Sequence, residues 1–321
     1  MRVLVTGGAG YIGSTAVAIL LERGYEVSVL DDLSTGHVDA LSSQAKLFKA
    51  SILDVDQVRA ALVGCDAVIH FAAKSLVGES VEKPELYHQV NVLGTRNLLD
   101  QMSEAGVKKL VFSSTAATYG EPDVVPITEE SRTIPTSPYG KTKLAVDQMI
   151  TAEAKSGLAA ISLRYFNVAG AFKSKSGWLG ERHNPETHLI PNLLRASSEN
   201  PLKVFGNDWP TKDGTCIRDY IHVVDLIEAH ILAIKKLEAA SHKIINLGSG
   251  GGYSVSEVIT AASKVVGKEI PTQVVARRAG DPAVLIADIS KAKSILSWVP
   301  TRNIEDMVGD TWRAQNASAS N

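Results

Sequence analysis

The chain has 321 residues, 45% of them hydrophobic, and 33 Lys and Arg against 35 Asp and Glu leave a net charge of −2. That length builds one large or two modest compact units. The near-neutral charge, with no block of like charges, speaks against nucleic acid or an anionic membrane as partner.

The opening Met1-Arg2-Val3-Leu4-Val5 runs straight into glycines, too short an apolar stretch for a signal peptide. No apolar run approaches the roughly 18 residues of a membrane span. Cys65 and Cys216 stand far apart, with no C-x-x-C and no His pair nearby, so neither a disulfide framework nor a zinc site is indicated, and a reducing cytoplasm is expected.

Short apolar runs alternate with stretches of helical period: 2–6 then 15–23, 25–30, 46–50 then 55–62, 67–72 then 90–102, 109–112 then 139–154, and 160–166. Strand and helix in turn predict an α/β protein with a doubly wound, Rossmann-like parallel sheet. Its almost wholly apolar strands, such as "AVIHFAA" and "LVFSS", are those of a sheet covered on both faces. After Gly170 the pattern weakens, in "AFKSKSGWLGERHNPETHLIPNLL", and a second domain is expected to begin. A helical stretch at 224–237 and "KIINLG" at 243–248 return the chain to the sheet. Helical pieces follow from Ser254, and 316–321 reads as a polar tail too hydrophilic to pack. The second unit is therefore a smaller, interleaved C-terminal α/β domain.

Between the first strand and its helix stands Thr6-Gly7-Gly8-Ala9-Gly10-Tyr11-Ile12-Gly13. Gly7, Gly10 and Gly13 have the spacing that turns the backbone tightly, lets it approach a pyrophosphate and packs helix on strand. Asp31, at the end of the second strand, stands where a carboxylate meets adenosine ribose hydroxyls. It would repel a ribose 2′-phosphate, and no Arg or Lys lies between Gly24 and His37 to receive one, so NAD is preferred over NADP. A ligand-free glycine turn, with Asp31 and Asp32 as a solvated strand end, is the alternative.

Ser137-Pro138 marks a helix start, and Tyr139 and Lys143 then fall four apart on one face. Bringing a phenol from about 10 to about 7 takes roughly 4 kcal/mol of preferential phenolate stabilisation. A lysine one turn away and a positive nicotinamide could supply it, with Ser113-Ser114-Thr115 offering hydroxyls to the reacting oxygen. Taken alone, the pair could equally be a surface tyrosine beside a solvated lysine.

Together "TGGAGYIG", Asp31, "FSSTAATYG", "SPYGKTK", "LRYFNVAG", "VFGNDWPTKDGTCIRDYIHVVDL" and "RRAGDP" resemble the extended short-chain dehydrogenase/reductase family and, within it, the UDP-glucose 4-epimerases, over nearly the whole chain. The resemblance implies reversible 4-epimerisation of UDP-glucose and UDP-galactose with retained NAD. Tyr139 would take the proton of the sugar 4-hydroxyl, Lys143 bind the nicotinamide ribose and hold down the phenol's pKa, and Thr115 stand beside the 4-hydroxyl. It further implies an NAD-binding domain at 1–170 plus about 218–248, and a UDP-sugar-binding domain at about 171–217 plus 249–321. Cofactor contacts are expected from Gly7, Gly10, Tyr11, Ile12, Gly13, Asp31, Ser51, Ile52, Phe71, Ala72, Asn91, Ser113, Tyr139, Lys143 and Tyr165. Substrate contacts are expected from Thr115, Tyr139, Asn167, His188, Leu189, Arg218, Arg278, Asp281 and Val284. Arg suits a diphosphate because of its bidentate fork.

The chain also departs from the pattern. Ser51 stands where the family usually has Asp, Ser75 where it often has Lys, Thr15 where many members have His, and His188 where some have Asn. Val284 aligns with a position that is often Tyr in enzymes restricted to glucose and galactose, which extends the expected range to UDP-GlcNAc and UDP-GalNAc.

Related epimerases of UDP-xylose, UDP-arabinose or UDP-glucuronate share these motifs. A sugar-nucleotide 4,6-dehydratase would need an acid and base pair beside Thr115, where Ala116-Ala117-Thr118 offers no carboxylate. A non-enzymatic dinucleotide sensor would lack the Tyr and Lys present here. His70 and His222 read as satisfied core histidines, and His183 and His188 as lacking a third ligand, so no metal is expected. The family's usual homodimer would draw on the helices at 90–102 and 139–150.

Overall fold

In the computed structural model, which describes residues 1–278 and 281–319, strands β1 (Arg2–Thr6), β2 (Glu26–Asp31), β3 (Lys46–Lys49), β4 (Ala67–His70), β5 (Lys109–Thr115) and β6 (Ala159–Tyr165) join Ser241–Leu247 in one parallel sheet. Its order is 241–247, β6, β5, β4, β1, β2, β3. The chain winds outward from β1 to β3, then crosses back to β4 and continues the other way. Ligands of open α/β sheets bind at such a reversal, beyond the carboxyl ends of the strands.

The unbroken apolar runs follow from the pleat. Val3 and Val5 enter one core and Leu4 the opposite one; Ile69 and Val68 divide likewise, as do Val111 and its neighbours Leu110 and Phe112. The first core is closed by α1 (Tyr11–Glu22) and the helix Val223–Lys235, whose buried faces share it. The second is closed by α2 (Val55–Leu62), α5 (Gly94–Glu104) and α6 (Pro138–Ala154). Each buried aliphatic side chain contributes roughly 1.5–3 kcal/mol by leaving water. Short helices α3 (Val77–Glu82) and α4 (Pro84–Tyr87) lead into a π-helical stretch, His88–Leu93, before α5.

Past Gly170 the chain makes short ribbons. Phe172–Ser174 pairs with Gly177–Leu179, Leu202–Phe205 with Thr272–Val275, and Ile217–Arg218 lies between Tyr253–Ser254 and Val284–Leu285. A third core joins Ile190 and Leu193 to Val258, Ala262, Met307 and Val308.

Two expectations are corrected. The first helix begins at Tyr11, four residues before its apolar period, because the glycine loop itself turns into the helix. The stretch 316–319 is the end of a helix, Ile304–Ala319, held by Ile304, Met307, Val308, Thr311 and Ala314 on one buried face. Residues 320–321 of the expected tail lie outside the described residues.

Candidate active site

A cavity of about 1450 Å³ runs from the glycine loop, past the carboxyl ends of β1, β4, β5 and β6, to the short strands of the later part of the chain. The glycines build its first end. Gly7 has φ +70°, and a Cβ there would stand 2.6 Å from the Ala72 nitrogen; a Cβ on Gly13 would stand 2.0 Å from the Gly7 oxygen. On Gly10, by contrast, a Cβ would meet nothing closer than the Gly7 oxygen at 3.5 Å, and Gly10 borders the cavity. The first turn of α1 carries no acidic residue and no side-chain cap, so its amides and the positive end of the helix dipole are left for an anion.

Asp31 is 8% exposed and accepts from the Ala9 amide at 2.9 Å and the Leu33 amide at 2.8 Å, which ties the loop to β2. Burial raises its pKa, against the pull of those two amides. Tyr11, Ile12, Ile52, Phe71, Ala72, Ser113 and Tyr165 all reach the cavity wall. A loop that only glycines allow, an open Gly10 and an uncapped helix start fit a dinucleotide.

Ser51 and Asn91 stand behind that wall instead. Ser51 accepts from the Leu53 amide at 3.2 Å, and its neighbours Ala50 and Ile52 face the cavity. Asn91, 2% exposed, accepts from the Lys74 amide at 2.8 Å and donates to the Lys74 carbonyl and Thr142 Oγ1, both at 3.0 Å. It thereby fixes the segment 72–75. Lys74, one position before Ser75, borders the cavity and reaches Ser34 Oγ at 3.1 Å.

On α6, Ser137 caps the helix by accepting from the Gly140 amide at 3.1 Å, with Pro138 in the first turn. Tyr139 then faces the cavity and Lys143 lies beneath it, 4% exposed. Lys143 Nζ donates to the Ser113 carbonyl at 2.9 Å and sits 4.8 Å from the Phe112 ring centroid. Burial pushes Lys143 down to about 8, Asp147 opposing it, and pushes Tyr139 up to about 12, a hydrogen bond with Thr115 opposing it. Among the protein's own groups, the Lys143 ammonium is engaged by a carbonyl and desolvation of the phenolate is the larger effect. Bringing Tyr139 to neutrality takes roughly 7 kcal/mol, which the bound ligands must help supply.

Behind the pair lies a buried group that sequence reasoning missed. Asp147 Oδ2 accepts from Arg164 Nη2 at 2.8 Å, Arg164 Nε at 3.0 Å and Ser114 Oγ at 3.1 Å, and both charged side chains are 2% exposed. The signal was the spacing 139, 143, 147, three positions one turn apart. Ser113 and Tyr165 share a short hydrogen bond. His70, bonded to Thr6 at 2.6 Å and Thr95 at 2.9 Å, and His222, which caps a helix and meets Asp310 at 3.1 Å, have the core roles expected of them.

At the far end the cavity wall carries Asn167, His188, Leu189, Arg218, Arg278 and Asp281. Arg218 Nη2 stands 3.6 Å from Asp281 Oδ1, and the Arg278 guanidinium lies 3.8 Å from the Phe205 ring centroid. Phe205, Lys203, Arg195 and Asn192 also border the cavity and were not foreseen. Four cations against one aspartate suit a diphosphate. The remainder of "RRAGDP", Ala279 and Gly280, lies outside the described residues.

Val284 does not reach this wall. Ile217 pairs with Val284 and Arg218 with Leu285, and only Arg218 and Leu285 border the cavity, since alternate residues of a strand face opposite ways. The position is corrected to Leu285. His183 and His188 are corrected too: Glu181 and Glu186 join them, and donor atoms of all four lie within 4.8 Å of one another.

Residues 3–248 match the NAD dependent epimerase/dehydratase family. A UDP-glucose 4-epimerase of Corynebacterium glutamicum is 52% identical over 321 residues, 99% of this chain and 96% of that protein. A UDP-glucose 4-epimerase crystal structure superposes with a TM-score of 0.94 at 45% identity, covering 99% of this chain and 98% of that one. The enzyme of Stenotrophomonas maltophila, crystallised with NAD and formylated UDP-arabinopyranose, gives a TM-score of 0.94 at 39% identity, covering 100% and 99%.

Proposed function

The chain belongs to the NAD dependent epimerase/dehydratase family, and on that premise we infer that it is an NAD-dependent UDP-glucose 4-epimerase whose reacting groups are Tyr139, Lys143 and Thr115. The observation that carries the assignment of groups is one cavity holding a dinucleotide cradle at one end, four cations at the other and the Tyr139 hydroxyl between them.

Bound NAD supplies a reversible hydride acceptor for the sugar C4. Tyr139 takes the proton of the 4-hydroxyl and returns it after the 4-keto sugar has turned over, so C4 is inverted with no net redox change. Thr115 would donate to the reacting oxygen, and Lys143 would hold the nicotinamide ribose. Arg218 and Arg278 grip the diphosphate, so the sugar is free to rotate while remote binding energy holds the nucleotide. Gly7, Gly10, Gly13 and Asp31 hold the cofactor; Asn167, His188 and Leu189 border the sugar.

This reading assigns 1–170 with about 218–248 to the NAD-binding domain, and the remainder to the UDP-sugar domain. Its support is that the large sheet takes strands from the first two stretches alone. The enzyme works as a homodimer, in the cytoplasm, in galactose metabolism. Exposed Val77, Val81 and Leu93, on helical segments beside α6, support the dimer. Leu285, smaller than tyrosine, supports turnover of N-acetylated UDP sugars. Dehydration is disfavoured because Ala116, Ala117 and Thr118 bring no carboxylate beside Thr115.

Proton NMR of the anomeric region tests the assignment. Purified protein mixed with UDP-galactose and no added cofactor is expected to produce UDP-glucose without net NADH. No conversion with or without added NAD would overturn it.

A further inference from the structure

The segment 181–188 runs from the ribbon Gly177–Leu179 to the helix Leu189–Leu194 and places two carboxylates and two imidazoles together. His183 Nδ1 lies 2.8 Å from Glu181 Oε1. His188 Nδ1 lies 2.7 Å from that same oxygen and 3.1 Å from Glu186 Oε1. We propose that Glu181, His183, Glu186 and His188 bind one divalent transition-metal cation of the zinc class, and that the cation clasps this segment over the glycine-loop end of the cavity.

Charge gives the first argument. The Glu181 and Glu186 side chains are 5% and 3% exposed, and among the described residues no Lys or Arg is ion-paired to either. The imidazoles of His183 and His188 are what pair with them, and a divalent cation held by all four side chains would balance both carboxylates with the imidazoles neutral. An orphaned atom gives the second: Glu186 Oε2 is buried with no hydrogen-bond partner among the described residues. Its sister oxygen already accepts from the Thr187 amide at 2.8 Å and the His188 amide at 2.9 Å while facing the His188 ring. A carboxylate with one oxygen satisfied and the other unused in a His-Glu cluster can bind a cation without breaking a bond.

The donor set decides the class of ion. Two imidazole nitrogens with two carboxylates suit zinc and its transition-metal neighbours, whereas calcium and magnesium favour all-oxygen sites. Bonds of about 2.0–2.2 Å to zinc put its ligands roughly 3.4 Å apart, so the donor pairs at 2.7–3.1 Å would spread slightly while the others, all within 4.8 Å, close around the ion. His183 and His188 are 29% and 41% exposed and border the cavity, which gives the ion a path.

Position argues for the clasp. Arg182, between two of the ligands, binds Asp39 through two hydrogen bonds of 2.8 and 3.0 Å. Arg182 and His183 also form one small surface pocket with Gly10, Tyr11 and Ser14 of the glycine loop. Fixing 181–188 therefore fixes a strap beside the dinucleotide's pyrophosphate loop.

The test uses tag-free, NAD-loaded protein treated with chelator and exchanged into metal-free buffer. Titration with Co²⁺ is expected to give visible d–d bands saturating at one equivalent and abolished by one equivalent of Zn²⁺. Glu186→Gln and His183→Ala should each weaken Co²⁺ binding more than tenfold. Absence of the bands in the wild type, or variants that bind as tightly as wild type, would overturn the site. Should the variants fail to fold, the wild-type titration decides alone. For the clasp, chelated protein should release NAD faster on gel filtration than zinc-loaded protein; equal release overturns it. Neither readout depends on UDP-sugar turnover, so failure of the epimerase assignment is a separate result.

Discussion

The two ends of the cavity are built by different rules. At the dinucleotide end the backbone does most of the work: three glycines and an uncapped helix start lie within seven consecutive residues, backed by one aspartate. At the cation-lined end Arg218, Phe205, Arg278 and Leu285 come from separate short strands or the segment between them, and their side chains do the work. A site made of backbone leaves spacing in the sequence. A site made of side chains leaves only residue types, and register decides which of them face inward.

The strongest way to sharpen that contrast is to separate holding the cofactor from using it. Tyr139→Phe removes the proton-transferring oxygen but no part of the glycine loop, so kcat should fall by roughly 10²–10⁴ while bound NAD stays unchanged. Gly13→Ala forces a Cβ to within 2.0 Å of the Gly7 oxygen and should do the reverse, releasing NAD during purification. Absorbance of released cofactor and single-turnover rates measure both. A Tyr139→Phe enzyme with near-normal turnover would remove the phenol from the chemistry.

Next in size is the buried pair behind α6. Asp147→Asn leaves the Arg164 guanidinium uncompensated at 2% exposure and should cost about 3–5 kcal/mol in urea unfolding. It also removes the one charge that holds up the Lys143 pKa, so the pH profile of kcat should move along with stability. A loss of stability with an unmoved profile would make Asp147 a purely structural anchor.

How much of this was legible follows the same division. The parallel, doubly covered sheet was readable because a strand buried on both faces is apolar at every position, as Val3, Leu4 and Val5 are; the order of its strands was not. Asp31, Tyr139 and Lys143 were readable from spacing to a local landmark. Ser51 and Asn91 were expected on the wall from the resemblance alone, which carries position but not side-chain direction, and only that direction distinguishes Ala50 from Ser51. The cluster at 181–188 was not legible because two of its four donors are glutamates, a residue type that carries no metal signal by spacing alone.

Acid should expose the sheet half before the later half. Burial holds His70 down to about 3 and His230 down to about 4, with Lys143 adding to the effect at His70. Both folded values lie below the unfolded value, so the unfolded chain binds more protons between them. Stability is then fully present above about pH 6.5 and is lost as pH falls toward 3–4, by about 2 kcal/mol per histidine between pH 6.5 and 5. Thermal melting across that range checks it, and His70→Asn should flatten the slope.

The smallest effect tests register itself. If residues 217–218 pair with 284–285 as found, Leu285 faces the sugar and Val284 faces away. Leu285→Tyr should therefore lower kcat/KM for UDP-GalNAc by about ten-fold or more relative to UDP-galactose, since steric differences in a pocket are worth about 1–3 kcal/mol. Val284→Tyr should change that ratio little and act on stability instead. A slip of one residue would exchange the two outcomes, because it turns every side chain of the strand to the other face. Two substitutions and two substrates thus resolve which of two adjacent apolar residues the strand turns into the cavity.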